Sequence, residues 1–98
     1  MGGKWIGGLP LAGANRCQIR FYPTGHFDFF CGNPEAWAGA GDYRVHGDEL
    51  EMEYRWISEH GTISKNVPVP LKLKLKGELN HVDVTLPSGS KLSWDRKL

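Results

Sequence analysis

The chain is predicted to be all-β: an antiparallel up-and-down meander of about eight short strands closing into a small barrel. Three observations carry this prediction. Thirteen glycines and six prolines punctuate stretches rich in β-branched and aromatic residues, the composition of short strands joined by tight turns. Apolar and polar residues alternate in Leu71-Lys72-Leu73-Lys74-Leu75-Lys76, the period of a half-buried strand. The stretch from Cys17 to Cys31 reads as a complete hairpin. Pro23 suits the second position of a type I turn, and Gly25 supplies the left-handed residue that closes a three-residue loop. Folding about Thr24 pairs Phe21 with Phe27, Ile19 with Phe29 and Cys17 with Cys31 on one face. The other face carries Gln18, Arg20, Tyr22, His26, Asp28 and Phe30, with Arg20 opposite Asp28. Eight antiparallel strands lose their exposed edges best by closing into a ring.

Taken in order, Gly3-Lys4-Trp5-Ile6-Gly7 forms a first strand with Trp5 turned inward, and Leu9 to Asn15 is a loop broken by Pro10 and Gly13. After the first hairpin comes the longest interruption, Gly32 to Gly41. Asn33 as N-cap, Pro34 as first helical residue and Glu35 in the first turn predict one helical turn in the 33–39 loop, ended by Gly39. A second hairpin turns at Gly47-Asp48, a two-residue II′-type loop. It pairs Val45 with Leu50 and Tyr43 with Met52 inside, and Arg44 with Glu51 outside. Continued alternation sends Tyr54 and Trp56 inward, with Glu49, Glu51, Glu53 and Arg55 to water. Ser58-Glu59-His60-Gly61 is the next turn, and Val67-Pro68-Val69-Pro70 suits an edge or a bulge. Between Leu75 and Val82 the apolar parity changes, which predicts a bulge near Asn80-His81. Pro87-Ser88-Gly89 repeats the first hairpin's loop and pairs Val84 with Leu92 and Val82 with Trp94.

Ninety-eight residues make a single domain spanning 1–98, large enough for a modest core. A formal charge of +1 lacks the basic footprint of a nucleic-acid binder. Tyr22 and Phe30 could stack bases as in an OB-type barrel, but the charge balance speaks against it. No apolar run approaches the roughly 18 residues of a membrane span. Met1 to Trp5 has no secretory apolar segment behind it, and Ile6 stands where a myristoylation signal needs Ser or Thr. A cytoplasmic location without membrane or nucleic-acid partners is expected, unless a leader has been trimmed away.

Gly3-x-Trp5, Phe21-x-x-x-Gly25-x-Phe27, Tyr43-x-Val45-x-Gly47-Asp48-x-Leu50 and Trp94-x-Arg96 together span nearly the whole chain. This pattern resembles small bacterial lipocalin-like (calycin-type) domains. The resemblance implies a lipocalin-like barrel in which Arg96, or Lys97, stacks on the Trp5 indole and, with Trp94, closes the barrel base.

Chemistry-bearing residues are sparse. The register of the first hairpin places Cys17 and Cys31 at a non-hydrogen-bonded pair, close enough for a disulfide. In a cytosolic protein two reduced, buried thiols are the expected state. His26, His46, His60 and His81 all fall in or beside turns or the expected bulge, where solvated histidines are the rule. No nucleophile elbow, zinc-protease helix, phosphate loop or EF-hand spacing occurs, so neither catalysis nor a metal or cofactor is expected. Tyr43, Tyr54 and Trp56, with Phe29 and Trp37, are the expected ligand wall, because they combine apolar bodies with polar handles or line a mouth. Phe30, Ile57, Trp37 and the Val67–Pro70 stretch have no inward place, and uncovered apolar surface on so small a chain predicts a homodimer. The expected function is a non-enzymatic binding module that takes a small hydrophobic ligand at a barrel mouth. The alternative is a structural or protein-interaction domain with a filled barrel, assembling through its rim and the Trp37 loop.

Overall fold

A computed structural model describes residues 2–10, 16–32, 37–64, 70–78 and 80–97. Nine strands occur among them: β1 Gly3–Gly7, β2 Cys17–Phe21, β3 His26–Cys31, β4 Trp37–His46, β5 Glu49–Glu59, β6 Thr62–Ser64, β7 Leu71–Gly77, β8 His81–Thr85 and β9 Lys91–Arg96. The order β4-β3-β2-β1-β9-β8-β7-β5, with β4 also paired to β5, closes eight of them into a ring, all antiparallel. β6 adds to the far end of β5 through a tight turn in which His60 and Gly61 both take positive φ.

The first hairpin has the expected register, from Cys17↔Cys31 to Phe21↔Phe27. Gly25 sits at φ 89°, and the Tyr22 amide donates to the His26 carbonyl at 2.8 Å. The same local rule recurs at Pro87-Ser88-Gly89, where Gly89 has φ 91° and the Leu86 amide donates to Ser90. At Gly47-Asp48 the register is Val45↔Leu50 and Tyr43↔Met52, with Gly47 at φ 61°.

Four local expectations need correction. The helical turn is absent from its described part, since Trp37, Ala38 and Gly39 open strand β4; positions 33–36 lie outside the described residues. The glycines there serve packing. A side chain on Gly39 would come within 2.6 Å of the Phe29 ring and 2.7 Å of the Trp56 carbonyl. Phe27 and Phe29, the cross-strand partners of Gly41 and Gly39, lay their rings over the bare backbone of β4. The expected bulge at Asn80-His81 is instead a chain reversal: β7 ends at Gly77, β8 starts at His81, and the Glu78 amide donates to the His81 carbonyl at 2.7 Å. Reversal explains the change of apolar parity without any slipped strand. Val45, expected inside, is exposed although its partner Leu50 is buried, because β3 pairs with β4 only as far as Asp42 and leaves the end of β4 uncovered.

The fourth correction bears on function. Ala40 pairs with Trp56 but Gly41 pairs with Tyr54, so Arg55 is an extra residue and β5 is bulged there. Two residues facing one partner break the alternation. Trp56 is therefore turned out, 41% exposed, and Ile57, expected outside, is buried at 2%. Phe30 is exposed as expected, and Trp37 is half-buried against the core. Residues 67–69 of the proline-rich stretch lie outside the described residues.

Candidate functional site

The barrel interior is solid. Trp5, Ile19, Phe21, Phe27, Phe29, Leu50, Met52, Tyr54, Leu73, Val84 and Trp94 are each no more than 4% exposed. An eight-stranded ring is just wide enough for side chains to fill, and here large rings fill it. Tyr54 meets the edges of Phe27 and Phe29 at 5.6 and 5.7 Å, and Phe21 lies 5.9 Å from Trp94. At one end the Arg96 guanidinium lies 4.9 Å over the Trp5 ring. The Trp94 indole donates to the Gly8 carbonyl at 2.8 Å, and the Trp5 indole to Gly2 at 3.1 Å. Burial pushes the Tyr54 phenol well above its ordinary pKa, and its hydroxyl has no hydrogen-bond partner among the described residues.

The expected ligand wall does not assemble. Tyr54 and Phe29 belong to the filled interior. Tyr43 sits beside the first hairpin loop, its hydroxyl donating to the Tyr22 carbonyl at 2.7 Å. Trp37 pairs with Cys31 at the opposite end of β4, and Trp56 is outside. Cys17 and Cys31 are joined by a disulfide across β2 and β3, replacing the reduced thiols expected from a cytosolic setting.

Among the concavities on the outer surface, one stands apart chemically. It is a groove of about 410 Å³ lined by Tyr22, His26, Asp28, Ala40, Arg55 and Trp56, with Phe27 and Gly41 beneath. The bulge builds it: Arg55 and Trp56 both reach the outer side, facing across the short Ala40 toward Asp28 on β3. Two hydrogen-bonded ion networks fix its walls. Asp28 accepts from Arg20 Nε at 3.2 Å and from the Tyr22 hydroxyl at 2.7 Å. Asp42 accepts from Arg55 Nε at 2.8 Å and faces His26 Nδ1 at 2.6 Å. The Arg55 hydrogen bond, aided by His26, outweighs burial and holds Asp42 below the usual carboxylate range. The bond to Asp28 raises the Tyr22 phenol.

Comparison of the chain with protein-family models and with curated proteins finds no match. The groove must therefore be read from its own chemistry. Among the described residues no group of three or more His, Cys, Asp or Glu could hold a metal ion.

Arg20 and Asp28 were legible from the hairpin, but Asp42, Arg55 and His26 were not. Their meeting depends on β3–β4 pairing, where His26 lies directly across from Asp42, and on a bulge that alternation alone hides. A second cluster on the far side was missed for a similar reason. His81 Nδ1 lies 2.6 Å from Asp95 and Nε2 lies 3.1 Å from Asp83, joining neighbouring strands β8 and β9.

Proposed function

We propose that this chain is a non-enzymatic binding module, lipocalin-like in its barrel and closure, whose ligand docks on the outer Trp56 groove. The observation that carries this reading is the bulge at Arg55, which turns a tryptophan out of an otherwise filled barrel. Bulges are enriched where a strand must re-aim a side chain for function. A small apolar ligand at a barrel mouth has less support, since Phe29 and Tyr54 are buried in the core, Trp37 and Tyr43 pack against it, and Trp56 faces the outer side. The Trp5–Arg96 contact supports the lipocalin-like kinship.

A second reading has its own observation. Phe30 and Ile63 are 60% and 68% exposed on the same outer face, which suits a protein-interaction domain or a homodimer built through the outer face of β3 and β6. The Cys17–Cys31 bond favours an oxidising compartment over the cytoplasm, because such bonds are rare among reduced cytosolic proteins.

Native mass spectrometry of protein purified without denaturation tests the first reading. A bare chain mass, a ligand on the open outer groove being lost and nothing retained inside the barrel, is the expected result. An adduct of a few hundred daltons that persists in a Trp56→Ala variant and leaves in organic solvent would place the ligand inside the barrel instead. The same spectra report the mass of any dimer.

A further inference from the structure

We infer that the Trp56 groove takes a neutral saccharide, one sugar face stacked on the indole and its hydroxyls bonded to the Asp28 and Asp42 networks. This inference rests on the reading that the groove is the working site and names its ligand class.

Each of Asp28 and Arg55, which line the groove, is matched by an opposite charge just beyond it. Arg20 is matched by Asp28, and Arg55 by Asp42. A charged ligand would have to displace a hydrogen-bonded partner already 2.8 or 3.2 Å away, so net ligand charge gains nothing here. Hydrogen-bonding capacity nonetheless remains. An ionised carboxylate offers about four lone-pair sites, and Asp28 and Asp42 each spend one bond per oxygen on the partners named above. Arg55 carries five N–H donors, and Asp42 takes the one on Nε. Planar groups with spare donors and acceptors, already held in place by one another, match vicinal hydroxyls, which donate and accept at once.

The apolar half of the groove is equally selective. Trp56 offers an accessible indole, Tyr22 is 36% exposed, and the Ala40 methyl with the Gly41 backbone forms a low floor. A sugar ring has a C–H face for such a platform and a hydroxyl edge for Asp28 and Arg55. A wholly apolar ligand would cover the spare donors and acceptors of the two networks without bonding them, at a cost for each polar group. The volume, about 410 Å³, lies at the small end of ligand sites, roughly 300–1,000 Å³.

The test is a two-dimensional NMR titration of the full chain that follows the four tryptophan indole signals. The probes are neutral oligosaccharides of glucose, mannose and N-acetylglucosamine, an oligogalacturonate, a heparin fragment and the dye 1-anilinonaphthalene-8-sulfonate. The inference expects at least one neutral oligosaccharide to shift the Trp56 indole and the Ala40 and Asp42 amides. Trp56→Ala and Ala40→Arg, which leaves the indole in place, should each weaken that binding about tenfold or more. Ile63→Thr, outside the groove, should not, and the Trp5 and Trp94 signals report that the variants stay folded. Tighter binding of the charged sugars, or a shift of Trp56 by the dye alone, overturns the saccharide class and keeps the groove. Shifts confined to Trp5 and Trp94, or silence from every probe at millimolar concentration, overturn both.

Discussion

His81 carries a carboxylate on each ring nitrogen, Asp95 on one side and Asp83 on the other, with Ser93 donating to Asp83 at 3.5 Å. The hydrogen bond to Asp95, then that to Asp83, raises the imidazole above its ordinary value of 6.5. The folded chain thus binds this proton more tightly than the unfolded chain. Its contribution to stability is complete below 6.5 and is lost as pH rises through the folded value. A His81→Gln variant should therefore fall furthest below the parent in urea midpoint at mildly acidic pH. The gap should close under alkaline conditions, and a gap that widens with pH would refute the assignment. Gly41 makes a different single-residue prediction. A methyl group there would run into the Glu53 carbonyl and lie 2.8 Å from the Phe27 ring. Gly41→Ala should cost about 3 kcal/mol, the upper range for overpacking a core, read from equilibrium unfolding.

Among the elements, the β2–β3 hairpin was legible residue by residue, because its register follows from one local turn. The strand β4 was not. Trp37 to Gly41 has weak strand propensity and reads as a loop, and only the rings of Phe27 and Phe29, arriving from β3, make its glycines fit a sheet. Likewise nothing in Tyr54-Arg55-Trp56-Ile57 distinguishes a regular strand from a bulged one until the β4 register is known. The candidate site inherits this limit: its β3 half follows from local chemistry, and its β4–β5 half needs long-range pairing. Two predictions belong here. Cys17→Ala/Cys31→Ala opens a crosslink between residues 14 apart and should lose about 3 kcal/mol, seen as a lower urea midpoint matched by reductant on the parent. Deleting Arg55 should restore one-to-one pairing with Trp56 still outside and Ile57 still inside. Unchanged acrylamide quenching of Trp56 would bear this out, and loss of that quenching would show that the strand had slipped.

In the whole molecule, the filled interior and the patterned exterior divide the work. Rigid packing of Trp5, Trp94, Phe21, Phe27, Phe29 and Tyr54 gives the outer strands a fixed curvature on which Asp28, Asp42, Arg55 and Trp56 hold their spacing. Side chains on strands keep their geometry better than side chains on loops. The barrel itself was legible because alternation, tight turns and an even ladder of hairpins all point to closure. What alternation could not supply was which residues leave the ladder, and those residues line the groove.

The seam of the ring joins the two strands furthest apart along the chain: Trp5 pairs with Arg96, and the Trp94 indole bonds to Gly8 across a separation of 86 residues. During synthesis on a ribosome, β1 is made before the other eight strands yet keeps one edge bare until β9 has emerged from the exit tunnel. The hairpins can form in passing, but the ring closes only once β9 is free to pair with β1. Until it forms, an aromatic-rich half-sheet stands open to any other nascent copy nearby.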